Sequence, residues 1–242
     1  MRILVNTESV DDYLKAILRL SGPEEKRVTS NALAEQLSVR AASVTGMVKK
    51  LAAHRPALVR YERHRGVRLT RAGKMRALEV LRHHRLLERF LHDCLDYTWD
   101  EVHEEAERLE HFISERLEDR IAAKLNDPQT DPHGHLIPGR SGAVPKREEV
   151  LLSHWACGVP AVVSSVSDRE PSQLRQMERL GLRPGVAVVV ETGARNAYLW
   201  ARIGEKPAAV RLNLEMAGKI SVTSKQSSAD LLPKVRGLSS FA

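Results

Sequence analysis

Between Thr29 and Leu69 two short helical patterns are joined by a tight turn and followed at once by a hairpin, an order that few folds accept. Thr29 is placed to cap a helix that buries Leu33, Ala34 and Leu37, and Ser38-Val39-Arg40 makes the turn. Val44, Met47, Val48 and Leu51 then recur at helical spacing on the inner face of the next helix. Leu58 to Leu69 reads as two short strands with Arg63 and Arg65 at the tip, before Thr70-Arg71-Ala72-Gly73 opens a further helix. Together these features predict a winged helix-turn-helix. The outer face of its second helix shows Ala42, Thr45, Gly46 and Lys49, flanked by Ser43 and Lys50 and preceded by Arg40. Small or hydroxylic side chains leave room for a groove, and the cations suit phosphates. A solvated helix face is the plainer alternative. The basic hairpin weighs against it and adds Arg63 and Arg65 to the candidate DNA contacts.

Charge divides the chain the same way. The formal net charge is +7, but Arg60 to Arg76 holds seven Lys or Arg against one Glu, whereas Asp100 to Asp119 holds nine carboxylates against two Arg. A basic N-terminal region calls for a polyanion and an acidic middle for cations. No apolar run is long enough to span a bilayer, and the first residues carry no signal-peptide pattern, so the chain is expected to be cytoplasmic with no membrane partner. Cys94 and Cys157 form no ligand spacing, so any metal must be held by nitrogen and oxygen.

The acidic middle contains the most specific pattern. At about 100° per residue, His103, Glu107, Glu110 and His111 fall within an arc of roughly 100° on a helix, a stripe of two imidazoles and two carboxylates. Leu109, Phe112, Ile113 and Leu117 supply apolar positions beside it. One helix is expected from a cap at Asp100 to a stop at Asn126-Asp127-Pro128. Before it, a long helix runs from Lys74 to about Tyr97, with His84 and Glu88 one turn apart, a spacing usually seen in surface pairs. An amphipathic first helix uses Val10, Tyr13, Leu14, Ile17 and Leu18, and puts Asp12 about 180° from its apolar stripe. On spacing alone Asp12 reads as a solvated charge.

After Asp127 comes a Pro- and Gly-rich loop whose His133 and His135 read more readily as turn residues than as ligands. Beyond it the composition changes to short apolar segments at Ala161–Val163, Val186–Val190, Tyr198–Ala201 and Ala208–Arg211. A short helix from Gln173 to Leu180 is closed by Gly181. Small strands with one helical insertion predict an SH3-like barrel, and Ser, Lys and Gln dominate a weakly ordered tail from Ser224. The expected fold is mainly α with small β parts. It has a winged-helix domain over 1–73, an acidic helical domain over 74–145, an SH3-like domain over 146–224 and a tail over 225–242.

With these residues in place, the chain resembles the diphtheria-toxin-repressor family of metal-dependent transcriptional regulators, including its manganese-sensing branch. The resemblance runs from about Ser9 to Val222. It is carried by Ala34-Glu35-Gln36-Leu37 through Ser43-Val44-Thr45, His84 through Leu91, Val102-His103-Glu104-Glu105-Ala106 with Glu110-His111, and Pro132 through Pro138. It implies that the helical domain over 74–145 is a dimerisation and metal domain, and that Asp12 stands where the manganese branch has a ligand aspartate and the iron branch a methionine. Glu107 stands where iron sensors have cysteine and manganese sensors glutamate, and Glu110 and His111 match ligands of both. The same resemblance makes His84, Glu88 and His103 a second, ancillary site, completed by Glu170 and Gln173 from the last domain. Lys15 departs from the manganese branch, which has a glutamate ligand there; a protonated lysine cannot ligate.

Carboxylate and imidazole donors without thiolate suit Mn²⁺ first and Fe²⁺ second. The implied function is metal-dependent repression by a homodimer on double-stranded operator DNA, controlling metal-homeostasis genes, with no organic substrate. Two alternatives stand beside it. A winged-helix regulator could answer an organic ligand. A metal-dependent hydrolase is disfavoured because Glu107 occupies the place of the second histidine of H-E-x-x-H.

Overall fold

The computed structural model describes residues 7–195 and 197–224; the tail over 225–242 lies outside the described residues. The chain forms two compact units. The first takes the chain up to His84, together with Glu107–Glu118 and Pro138–Val144; the second takes Arg85–Ala106, Asp119–Ile137 and the chain from Pro145. Among the described residues no helix is long and apolar enough to cross a membrane.

In the first unit, α1 (Thr7–Ser21), α2 (Ser30–Gln36) and α3 (Ala41–Ala53) precede a hairpin of β1 (Val59–Glu62) and β2 (Gly66–Leu69). Thr29 caps α2, its hydroxyl accepting from the Ala32 amide at 3.2 Å. The hairpin is antiparallel, with Val59 opposite Leu69 and Glu62 opposite Gly66. Val28 and Val67 exchange both backbone hydrogen bonds at 2.9 Å, which fastens the wing to the strand-like segment before α2. Val10, Leu14 and Ile17 of α1 share one core with Leu33, Val44, Val48, Leu51, Leu58, Val59 and Val67. Burying side chains of this size is worth about 1.5–3 kcal/mol each, so α1 is a structural part of the DNA-binding module rather than a leader to it. Gly73, in the first turn of α4 (Arg71–Leu95), passes so close to the hairpin that a Cβ there would lie 1.9 Å from the Leu58 carbonyl oxygen.

The acidic segment departs from expectation. It is two helices, α5 (Val102–Leu109) and α6 (Glu115–Lys124), separated by a turn. Ser114 opens α6, its carbonyl accepting from the Leu117 and Glu118 amides. Entry into α5 is closed by Thr98 and Glu101, whose backbone and side chain exchange hydrogen bonds, while Asp100 accepts from Arg175 at 2.5 Å and from the Thr98 hydroxyl. Glu110 and His111 therefore sit on the turn after α5, and a single helical stripe through His103 does not form. Phe112 and Leu117 are 71% and 47% exposed instead of packed within the chain.

In the second unit six antiparallel strands run in the order β3-β8-β4-β5-β6-β7. They are β3 (Val150–Leu151), β4 (Pro160–Val166), β5 (Ala187–Arg195), β6 (Tyr198–Ile203), β7 (Val210–Asn213) and β8 (Ile220–Ser224). Two short helices, α7 (Pro171–Leu180) and α8 (Leu214–Ala217), complete this SH3-like domain. Register shifts in β4 and β5 bend the sheet. The sheet curls over Leu152, Val163, Leu174, Met177, Leu182, Leu199, Leu212 and Val222. Gly181 ends α7 in the left-handed region at φ 80°. Strands β3 and β8 lie outside the apolar segments picked out from sequence. Two residues are too few to show a period, and β8 alternates Val222 with Ser221 and Thr223.

Candidate metal centres and nucleic-acid interface

The candidate DNA-binding face follows from α3 packing by Val44, Val48 and Leu51, which turns the opposite side outward. Arg40, Ala42, Ser43, Gly46, Lys49 and Lys50 are exposed, as are Arg63 and Arg65 at the hairpin tip. Thr45 is half-buried and donates its hydroxyl to the Ala41 carbonyl at 3.2 Å. The face thus carries small side chains in the middle and cations at its edges.

The first ligand cluster lies wholly in the first unit. Helix α1 brings Asp12, α4 brings His84, and the end of α5 with its turn brings Glu107, Glu110 and His111. Two trios have donor atoms within metal-chelating reach, Asp12–Glu110–His111 and His84–Glu107–Glu110, with Glu110 common to both. His111 Nε2 is 3.2 Å from Asp12 Oδ1 and 3.5 Å from Glu110 Oε1. His84 Nδ1 is 2.6 Å from Glu110 Oε2 and 3.6 Å from Glu107 Oε2. Burial pushes the Asp12 carboxyl up; the His111 and Lys15 charges pull it back only in part, and Glu107 and Glu110 add to the rise. Lys15 is 3% exposed, and its ammonium stands between two of the carboxylates, 2.9 Å from Glu107 Oε2 and in direct contact with Glu110 Oε1.

Supporting groups hold these donors. Arg76 Nε donates to Asp11 Oδ1 at 2.6 Å, and Asp11 Oδ2 lies 3.6 Å from His111 Nδ1. His83 spans the Glu110 carbonyl and the Glu118 carboxylate, each at 3.1 Å, so the turn bearing Glu110 is tied to α4. Neither Asp11 nor His83 stood out in the sequence, because each is one residue from a more conspicuous donor.

The second cluster lies in the second unit. His103 Nδ1 is 3.0 Å from Glu88 Oε1 and 3.7 Å from Asp168 Oδ2. Asp131, His133 and His135 form a further trio on the Pro-rich loop. Asp131 builds that loop by accepting from the His133 and His135 amides at 2.9 Å each and from His135 Nδ1 at 3.0 Å. Gly134, at φ 88°, lies where a Cβ would meet the Ser164 carbonyl oxygen at 2.2 Å, and the Val166 amide donates to the His133 carbonyl at 2.9 Å. His133 Nε2 faces the Trp99 carbonyl at 2.8 Å. A carbonyl only accepts, so Nε2 carries a proton, and in the neutral ring Nδ1 then keeps its lone pair. Among the described residues that Nδ1, which is buried, has no hydrogen-bond partner and lies 3.9 Å from Glu88 Oε1. Burial alone would lower the His135 imidazole, but Asp131 and Asp168 outweigh it and leave its pKa raised.

Glu170 and Gln173 are not brought into this cluster. Glu170 accepts from Lys219 Nζ at 2.6 Å and from Gln173 Nε2 at 2.9 Å, and Gln173 also donates to Glu215 at 3.1 Å. Asp168, two residues earlier, stands beside His103 instead. Nothing in its spacing marks Asp168, whereas His133 and His135 stand out in the sequence but sit in a Pro- and Gly-rich loop, where a histidine reads as a turn residue.

Residues 6–67 match the family model for the N-terminal DNA-binding domain of iron-dependent repressors, and residues 70–139 the model for their metal-binding and dimerisation domain. The iron-dependent repressor IdeR of Mycobacterium tuberculosis H37Rv is 35% identical over 206 residues, 79% of this chain and 86% of that one. The diphtheria toxin repressor of Corynebacterium jeikeium is 30% identical over 210 residues, 84% of this chain and 85% of that one. A manganese-dependent transcriptional repressor solved in complex with manganese is 38% identical with a TM-score of 0.82, covering 89% of this chain and 99% of that one. ScaR with bound Zn²⁺ is 28% identical, with a TM-score of 0.74 over 89% and 99%. Fold and ligand clusters define a winged-helix regulator with a metal-binding helical domain. The chain belongs to the family of iron- and manganese-dependent transcriptional repressors that includes the diphtheria toxin repressor.

Proposed function

We propose that this chain is a cytoplasmic, metal-dependent repressor that binds operator DNA as a homodimer and answers Mn²⁺ first and Fe²⁺ second. The observation that carries this reading is the double membership of α1. Val10, Leu14 and Ile17 build the core of the winged helix, while Asp12 on the same helix reaches Glu110 and His111. A divalent cation at this donor set would neutralise the carboxylates and join them. Asp12 then holds α1 against the end of α5, and α1 carries α3 with it through their shared core. That fixes the recognition helix as binding two successive major-groove half-sites requires. Both cysteines are free and lie outside the clusters, so the donors are oxygen and nitrogen alone, which suits manganese better than softer ions.

Glu88, His103 and Asp168, with His133 and His135 beside them, are read as a second centre, its loop ordered by Asp131. The lone pair of His133 Nδ1 supports that assignment. Glu170 and Gln173, assigned to the same centre by resemblance, would have to leave Lys219 and Glu215 to join it. The exposed Phe112 and Leu117 supply apolar surface for the partner subunit.

Fluorescence anisotropy of labelled operator fragments, with Mn²⁺, with Fe²⁺ under anaerobic conditions and with chelator, tests the reading. Binding should require metal, and operator should tighten metal binding by the factor by which metal tightens operator binding. Equal metal affinity with and without operator would remove the proposed coupling.

A further inference from the structure

Lys15 is placed to do more than fill space. It follows Asp12 by three residues on α1, so the two side chains leave the same face of the helix. One reaches the Asp12–Glu110–His111 trio, and the other ends against two of the three donors of the His84–Glu107–Glu110 trio. The trios share Glu110, an arrangement that otherwise suits two cations bridged by one carboxylate. We propose, building on the metal-sensing reading above, that the Lys15 ammonium is a tethered cation filling the His84–Glu107–Glu110 position, so that this cluster takes one divalent ion, at Asp12–Glu110–His111.

The charges around the cluster balance on that basis. Asp12, Glu107 and Glu110 face one ammonium, which leaves two negative charges, the complement of one divalent ion. Asp11 does not enter the count because Arg76 already pairs with it at 2.6 Å. A second divalent ion would leave an excess of positive charge around Glu110 and Lys15, both almost fully buried, where unpaired charge is least tolerated. In the metal-free protein the same ammonium keeps Glu107 and Glu110 from repelling each other, and holds α1 beside α5.

Replacing Lys15 with methionine keeps most of the side-chain volume and removes the charge. Equilibrium dialysis of the full chain against Mn²⁺ should then find one more ion bound per chain than in the wild type. Electron paramagnetic resonance should show an exchange-coupled pair in Lys15→Met, as expected for ions about 3.5–4 Å apart, and only uncoupled ions in the wild type. Lys15→Arg, which keeps the charge, should keep the wild-type count. Metal-free Lys15→Met should melt below the wild type, and saturating Mn²⁺ should close the gap. Lys15→Gln carries the same expectations if the methionine variant does not fold. A coupled pair in the wild type, or an unchanged count in folded Lys15→Met and Lys15→Gln, overturns the proposal. If Asp12→Ala and Glu110→Ala bind as many ions as the wild type, the cluster is not a metal site and the underlying reading fails first.

Discussion

Glu107 and Glu110 both pair with Lys15, yet their burial predicts very different costs for losing them. Glu110 is 1% exposed and accepts from Lys15 and, at 2.6 Å, from His84. Truncating it to alanine leaves a buried ammonium with one carboxylate fewer. Removing one partner of a buried pair costs about 3–5 kcal/mol, and the lower end applies because Glu107 stays 2.9 Å from Lys15. At about 2–4 °C per kcal/mol for a chain of this length, metal-free Glu110→Ala should melt roughly 6–12 °C below the wild type. The Glu107 side chain is 43% exposed, so its share of the pair is screened. Glu107→Ala should cost about 1 kcal/mol or less, roughly 4 °C at most. Glu110→Ala should also lose most of the stabilisation given by saturating Mn²⁺, about 2.7 kcal/mol at a hundredfold excess over the dissociation constant, whereas Glu107→Ala, which removes a partner of Lys15 and not a donor of the Asp12–Glu110–His111 position, should keep most of it. Thermal melts in chelator and in Mn²⁺ measure both quantities together. If Glu110→Ala melts in chelator as Glu107→Ala does, the buried network does not bear on stability as argued. A metal response lost in Glu107→Ala would make that carboxylate a ligand of the ion and not a partner of Lys15 alone.

Lys49→Ala should weaken binding to every DNA sequence alike and lower the salt slope by about 1, checked by anisotropy across a salt series; an unchanged slope argues against a phosphate contact. His133→Ala should reduce the Mn²⁺ bound per chain by one in equilibrium dialysis while leaving the response of Glu107 and Glu110 variants as it was, and an undiminished count would exclude Nδ1 as a donor. Because burial raises the Asp12 carboxyl, a proton competes for it at a higher pH than for a free aspartate. Metal affinity should therefore fall as pH drops from neutral into the mildly acidic range, and the slope should flatten in Asp12→Asn. Phe112→Glu should shift the dimer toward monomer in analytical ultracentrifugation, since it puts charge on an exposed apolar surface.

Much of this molecule is legible from local patterns. The winged helix shows because Thr29, Leu33, Val44, Val48 and Leu51 obey the helical period, and a basic hairpin follows. The SH3-like domain shows through its central strands, where Leu199, Ala201 and Ile203 alternate with exposed neighbours. Local pattern fails in the acidic segment, where helix spacing runs unbroken through His111 although the chain turns after Leu109. It fails again at Glu88, His103 and Asp168, which are far apart in sequence and carry no mutual spacing. His133 shows the same limit: a histidine in a Pro-Gly loop reads as a turn residue until the Trp99 carbonyl fixes its tautomer and frees its other nitrogen.

The residue types, their periodicity and their resemblance to a known family were enough to mark a DNA-binding module, an acidic helical region and a metal-dependent regulator, with oxygen and nitrogen as the expected donors. These depend on neighbours within a few turns, which sequence records directly. Which donors meet, and what else stands among them, depends on helices brought together from distant parts of the chain. The resemblance marked Lys15 as a departure from a ligand position, but only packing put its ammonium against Glu107 and Glu110. Charge at that distance and that burial decides how many cations the cluster can hold, and no local rule encodes it.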